Sequence, residues 1–464
     1  MRVLTISLLL LGATTTQTGL PDSISSRLTR DLEPFVQERA AADEFSGTVV
    51  VAKAGEPIFA KAYGQADQGR HIPNTVDTRF NLGSVNKMFT AVSIAQLVEG
   101  KAIALDQPFG RYLRDYPNRA VADHVTVEQL LSHTSGMGDY FGPSFHARRT
   151  SVATVADLLP FFVNDPLSFA PGSRFQYSNA GYVVLGLLIE QASGERYADY
   201  LKGHVFAPAG MTDTSLDKRT GSGNLAIGYT HPPGPDGRPS AGARIENSDI
   251  VEATGSPAGG AFSTAHDLTA FSRALWAGKL IGLPLVAEFT KGHVPMGPIM
   301  YGFGFGTFTQ GAVRIVGHNG GAPGVNVEFD MYPDQGYDVV VLANYDPPAA
   351  LPVIQKTREI LTGAVVGARP VPSSAPVVAT SGLADYAGQF GDRTITVRDG
   401  HLYLQRAGGP VHTLVAISPD LFASEQMPDA RFQFNRDAGG HVTELRVRLP
   451  DGTWETVRRT IRGA

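Results

Sequence analysis

The chain of 464 residues contains no cysteine. That excludes a disulfide framework, a thiolate nucleophile, a Cys-ligated zinc and a Cys-ligated iron–sulfur cluster. Charge of one sign is also scarce: 39 Lys and Arg stand against 44 Asp and Glu, a net charge of −5. This balance gives no electrostatic reason to expect a nucleic-acid partner. No run reaches the ~20 apolar residues that a bilayer-spanning helix needs. Three common catalytic motifs are missing as well, since the chain has no G-x-S-x-G elbow, no G-x-x-x-x-G-K-[ST] loop and no H-E-x-x-H. The 12 histidines are scattered without metal-ligand spacing, so a metal site has little support.

What is present is length, a hydrophobic fraction of 42 %, and abundant turn formers, with 52 glycines and 31 prolines. Such a chain can bury a core in two or three domains without staples. At the N-terminus, Arg2 precedes the apolar run Val3 to Leu11. A positive residue followed by a short apolar run reads as a secretory signal, taken as residues 1–18, and predicts a periplasmic or extracellular protein with no membrane insertion once the signal is removed.

Ile24, Leu28, Leu32, Phe35 and Val36 recur at helical spacing. Thr48 to Ala52 and Pro57 to Ala62 flank Ala54-Gly55 and read as a hairpin. Ser84 to Glu99 reads as an amphipathic helix closed by Gly100. Further helices are expected at Val127 to Leu131, Val155 to Leu159, Tyr182 to Ala192, Ala265 to Gly278 and Ile354 to Leu361, and strands at Val313 to Val316, Val325 to Met331 and Val339 to Asn344. Residues 220–248 read as a long surface loop or lid. A Pro/Ser-rich stretch, Arg369 to Pro376, marks a linker. Alternating runs follow, including Thr394 to Val397 and Leu402 to Leu404 around Asp399-Gly400, and predict a small all-β antiparallel barrel or sandwich. The boundaries drawn are 22–366 for the main domain, 367–382 for the linker and 383–464 for the β domain.

Ser84-Val85-Asn86-Lys87 puts a hydroxyl and an amine three residues apart, on one helix face. Serine is a weak nucleophile that needs a base, and lysine serves if burial and the helix dipole lower its pKa. Alone the motif is weak, and Ser215 to Lys218 matches it too. Tyr177-Ser178-Asn179 follows further on. A tyrosine acidified by a nearby ammonium can shuttle a proton, and Asn179 can fix the lysine or a substrate carbonyl. Tyr116-Pro117-Asn118 also fits Tyr-x-Asn, in a turn-like stretch. Third comes His318-Asn319-Gly320-Gly321 at the end of the Val313 strand. Glycines on an edge strand let a substrate approach the backbone, whose N–H groups can form an oxyanion hole with that of Ser84. His318 can hydrogen-bond a substrate carboxylate or carbonyl.

Ser-x-x-Lys, Tyr-x-Asn and His-x-Gly in this order resemble the penicillin-recognising serine hydrolases, in particular the class C β-lactamase-like branch with its esterases, D-aminopeptidases and DD-peptidases. The resemblance spans roughly residues 30–365 and includes Leu130 to Gly136 and Ala258 to Leu268. It implies an α+β fold, an antiparallel sheet flanked by helices with a helical subdomain, the C-terminal barrel being an appended module. It implies Ser84 as acylated nucleophile, Lys87 and Tyr177 as acid and base, Asn179, His318 and Gly320 as substrate-binding, and the N–H groups of Ser84 and Gly321 as the oxyanion hole. No cofactor is implied. The expected substrate is a small ester, an amide or a short peptide, and the oligomeric state stays open. Where β-lactamases carry Lys-Thr-Gly, this chain has His318-Asn319-Gly320, and a mostly neutral His weakens the case for an efficient β-lactamase. An esterase-like hydrolase therefore comes first, a D-aminopeptidase or DD-peptidase second, and a β-lactamase or a non-catalytic ligand sensor after them. The β domain reads either as a passive module or as a gate over the site.

Overall fold

The computed structural model describes residues 23–364, except 219, 221–223, 233–241 and 252–253, and residues 380–460, except 399–400, 407–410, 419, 425–426, 438 and 449–453. The expected signal segment 1–18, the turn Asp399-Gly400, and the linker up to residue 379 lie outside these residues. Residues 380–382, assigned to the linker, belong to a 3-10 helix, Thr380–Tyr386.

The main sheet is antiparallel, built from β1 (Gly47–Lys53), β2 (Glu56–Tyr63), β3 (Val294–Met296), β4 (Ile299–Tyr301), β5 (Gly306–Gln310), β6 (Val313–Ala322), β7 (Val325–Tyr332) and β8 (Tyr337–Ala343), in the order β2-β1-β8-β7-β6-β5-β4-β3. The β1–β2 hairpin turns at Ala54 (φ 52°) and Gly55 (φ 85°), as the sequence predicts. Two successive left-handed residues match the twist of the flanking strands.

Near-continuous apolar runs in the central strands mean that both faces are covered. Along β8, Val339 and Val341 face one core while Val340 and Leu342 face the other. On the first side lie the N-terminal residues Leu28, Leu32 and Val36, the last in α1 (Glu33–Ala41), and Val353 and Ile354 of α7 (Leu351–Thr362). On the second lie α2 (Asn86–Glu99), α3 (Val127–Leu131), α4 (Asn179–Ser193), α5 (Ala265–Trp276) and α6 (Leu283–Thr290). Each Val or Leu buried this way contributes about 1.5–3 kcal/mol.

Helix α2 departs from its expected amphipathic form. Every side chain from Asn86 to Ala95 is buried, because the helix is enclosed by its neighbours, α4 and α6 among them. Lys87 is therefore taken out of water by position. The stretch read as a helix at Val155 to Leu159 is a 3-10 helix, Ala156–Phe161, with Pro160 inside it. Proline lacks the N–H and clashes with the preceding turn, which an α-helix would not tolerate there.

The C-terminal strands β9 (Gly388–Phe390), β10 (Arg393–Arg398), β11 (His401–Arg406), β12 (Val411–Ser418), β13 (Leu421–Ser424), β14 (Met427–Arg436), β15 (Val442–Arg448) and β16 (Trp454–Arg458) pair in chain order. A bridge between Phe390 and Arg459 brings the ends together, so the sheet is a nearly closed barrel around Phe390, Phe422, Phe432 and Phe434.

Candidate active site

Ser84 lies in a 3-10 turn, Gly83–Val85, that leads into α2. It is half-buried, while Lys87, in the first turn of α2, is fully buried. The Lys87 Nζ is 3.2 Å from Ser84 Oγ, 2.6 Å from Asn179 Oδ1 and 2.5 Å from the Ala258 carbonyl oxygen. Burial lowers the Lys87 pKa to about 7, and the Asp139 carboxylate pulls it partly back up. A half-neutral amine beside a hydroxyl can take the hydroxyl proton.

Ser178 caps α4, its hydroxyl accepting from the Gly181 N–H at 2.9 Å. The helix begins at Asn179, three residues before the expected Tyr182, and this start sets Asn179 and Tyr177 around Lys87. Asn179 gives its Oδ1 to Lys87 and donates through Nδ2 to Asp139 at 2.7 Å. Tyr177 hydrogen-bonds Ser84 through its hydroxyl and lays its ring 4.7 Å from Lys87 Nζ. The expectation that Tyr177 is acidified is corrected: burial raises its pKa above the ordinary value, more than the Ser84 hydrogen bond lowers it. Tyr177 is a phenol at neutral pH and can donate a proton, and it is not a phenolate base.

The strand carrying His318 was expected to end at Val316 and to lie at an edge. Strand β6 instead runs through His318, Asn319, Gly320 and Gly321 to Ala322, between β5 and β7. On the β5 side, however, pairing stops at Gly306 opposite Gly317. Beyond that point the Ser84 turn packs on the strand. A Cβ on Gly320 would fall 2.0 Å from the Leu82 carbonyl oxygen and 3.1 Å from the Ser84 nitrogen, and one on Gly83 (φ +50°) would fall 2.9 Å from the Gly321 nitrogen. Only glycine permits this approach, which brings the Ser84 and Gly321 backbones to one point of the cleft. A cavity of about 570 Å³ opens there. It is lined by Ser84, Asn179 and Gly321, walled by Tyr140, Phe145 and Leu158, and has Glu190, Glu195 and Arg196 at its far end.

His318 is half-buried, and both ring nitrogens meet protein partners: Nε2 the Tyr301 hydroxyl at 3.0 Å, Nδ1 the Asn319 carbonyl at 2.6 Å. Burial and the nearby Lys87 lower its pKa to about 4, so it is neutral at pH 7.

All the expected site residues thus converge. The duplicate motifs do not join them. Ser215 accepts from Arg79 at 2.7 Å, and Tyr116 packs edge-on against Phe109 in the core. Sequence reasoning missed Asp139, Tyr301, His133 and the Ala258 carbonyl. His133 lies in the Leu130 to Gly136 segment and takes φ 58°, a left-handed conformation uncommon for a non-glycine residue.

A model of the family described as Beta-lactamase matches residues 32–364. The chain belongs to the beta-lactamase family. Its enzymes include serine hydrolases, and this chain is an enzyme of that type. Among family relatives, it is 29 % identical to penicillin-binding protein 4* of Bacillus subtilis, covering 82 % of this chain and 88 % of the relative. It is 35 % identical to esterase EstB of Burkholderia gladioli over 41 % of this chain and 51 % of that protein, so this match spans about half of EstB. The crystal structure of a penicillin-binding protein from Bacillus halodurans superposes with a TM-score of 0.61 at 30 % identity, covering 71 % of this chain and 99 % of that one.

Proposed function

We propose that this beta-lactamase-family enzyme cleaves esters, and secondarily amides, through an acyl-enzyme on Ser84, and that it works outside the cytoplasm. The observation that carries the catalytic reading is the buried Lys87 amine at 3.2 Å from the Ser84 hydroxyl, with its pKa lowered to about 7.

In the neutral form, Lys87 takes the proton as Ser84 Oγ bonds to the substrate carbonyl carbon. The oxygen of the tetrahedral intermediate gathers negative charge beside the Ser84 and Gly321 backbones, whose N–H groups stabilise it. Collapse breaks the bond to the leaving group, which takes a proton from Lys87 or through Tyr177. Water then attacks the acyl-serine, its proton passes to Lys87, and the acid is released with Ser84 restored. One ester and one water give one acid and one alcohol. Asn179 holds Lys87 in reach of Ser84, and Gly320 leaves room for the substrate against the strand.

Two observations favour esters. A neutral His318 stands where a cation would anchor a carboxylate, and part of the chain is similar to an esterase. Export rests on the Arg2 and Val3 to Leu11 pattern alone.

The test is labelling with a fluorophosphonate and with a fluorescent penicillin, wild type against Ser84→Ala. Ser84-dependent fluorophosphonate labelling with turnover of p-nitrophenyl esters supports the reading. No Ser84-dependent labelling by either probe overturns it, and release of D-alanine from D-Ala-D-Ala peptides at a higher rate than ester turnover replaces it with a peptidase.

A further inference from the structure

His318 ends a chain of hydrogen bonds that starts on the main chain. The Ser178 N–H donates to His133 Nδ1 at 3.0 Å. With that nitrogen accepting, the proton of the neutral ring sits on Nε2, which faces the Tyr301 hydroxyl at 3.2 Å. At the other end, His318 Nδ1 faces the Asn319 carbonyl oxygen at 2.6 Å, and a carbonyl only accepts, so this nitrogen carries the proton. His318 Nε2 is then an acceptor, and the Tyr301 O–H donates to it at 3.0 Å. The direction of every bond follows from the two backbone groups. His133 and Tyr301 are both fully buried, so water does not compete. Tyr182 adds only a second acceptor for Tyr301, because its own hydroxyl donates to the Leu131 carbonyl at 2.9 Å. Lys87 is the cation that acts on both histidines, and the Tyr177 ring packs on His133, tilted by 33° with ring centres 4.2 Å apart.

We propose that Tyr301 and His133 are positioning residues that lock His318, whose ring centre lies 6.4 Å from that of Tyr177, as a neutral ring protonated on Nδ1, so that the side of the Ser84 site next to His318 accepts uncharged ester or amide substituents and rejects carboxylates. Neither ring nitrogen keeps an N–H for the substrate. A carboxylate placed there would lose its water and gain no donor from His318, a combination that discriminates strongly. This rests on the hydrolase reading above and narrows it to substrates without an anionic group on that side.

Two measurements test it. The first is nitrogen-15 NMR of the histidines at pH 7, with the His318 signals assigned by their absence in His318→Gln. The lock predicts Nδ1 protonated and Nε2 bare. Protonation on Nε2, or on both nitrogens, overturns it, whether or not the chain hydrolyses anything. The second compares hydrolysis of methyl 3-acetoxybenzoate with that of 3-acetoxybenzoate, a pair differing in one negative charge. Wild type should prefer the methyl ester at least ~30-fold in kcat/KM. Tyr301→Phe removes the donor to Nε2 and should narrow the preference ~5-fold or more, through KM for the acid and most strongly near pH 6. Equal rates on the two substrates in wild type overturn the proposal. If Tyr301→Phe does not fold, the wild-type ratio and spectrum decide. Should Ser84→Ala hydrolyse both esters as well as wild type does, the hydrolase reading fails, while the spectrum still decides the lock.

Discussion

The amine of Lys87 lies 3.2 Å from the hydroxyl of Ser84, in the first turn of a helix buried on every side over its first ten residues. Water is excluded from the lysine by the packing of α2, so the fold itself lowers the lysine pKa to about 7. The activity should follow the neutral amine. The rate should rise about tenfold per pH unit below 7 and level off above it, as the proton leaves Lys87. Because burial holds Tyr177 above the ordinary phenol pKa, its ionisation should produce no descending limb below about pH 10. A kcat/KM profile from pH 5 to 9.5 checks both statements. A rate that falls as pH rises through 7 would contradict the assignment of the base.

Asp139 reaches Lys87 through Asn179, which bonds both. Its charge favours the protonated lysine. Asp139→Asn should therefore move the acid limb of the profile to lower pH. Asp139 is exposed, so the move should be a few tenths of a pH unit at low salt and smaller at high salt. The same profile, recorded at two ionic strengths, reads it.

Tyr177→Phe removes the hydroxyl that meets Ser84 and leaves the ring that packs on His133. It should lower kcat about 10²- to 10³-fold, with KM nearly unchanged. Circular dichroism melting should place its Tm within a few degrees of wild type.

Much of this was legible in the sequence because it is local. Three residues of separation on a helix bring Ser84 to Lys87, and Ala54-Gly55 between two apolar runs makes a hairpin. The start of α4 is hidden in the sequence because Tyr182 opens the apolar pattern, whereas the cap is Ser178. The length of β6 was hidden by Gly317, Gly320 and Gly321, which read as a strand end and instead let the Ser84 turn pack on the strand. Tyr301 and His133 lie 168 residues apart and meet only through the fold. No spacing announces such a contact. Asp139 sits in a loop, whose path is not periodic.

The packing of glycine on the Ser84 turn has its own test. Gly320→Ala would put a methyl group 2.0 Å from the Leu82 carbonyl oxygen, against main chain that has no side chain to swing aside. It should cost ~2 kcal/mol or more and abolish turnover. Gly203→Ala meets no atom within 4 Å and should leave stability unchanged or raise it by a few tenths of a kcal/mol. Urea denaturation of the two variants beside wild type measures the contrast.

Ser84 becomes acylated because Lys87 takes its proton. Intact-mass spectrometry after mixing with a p-nitrophenyl ester, together with the burst of p-nitrophenol, tests it most directly. Wild type should gain one acyl group and Ser84→Ala none, and Lys87→Met should acylate at least ~10³-fold more slowly while its Ser84 stays in place. Acylation of Lys87→Met at the wild-type rate, or an acyl group on Ser84→Ala, would contradict it.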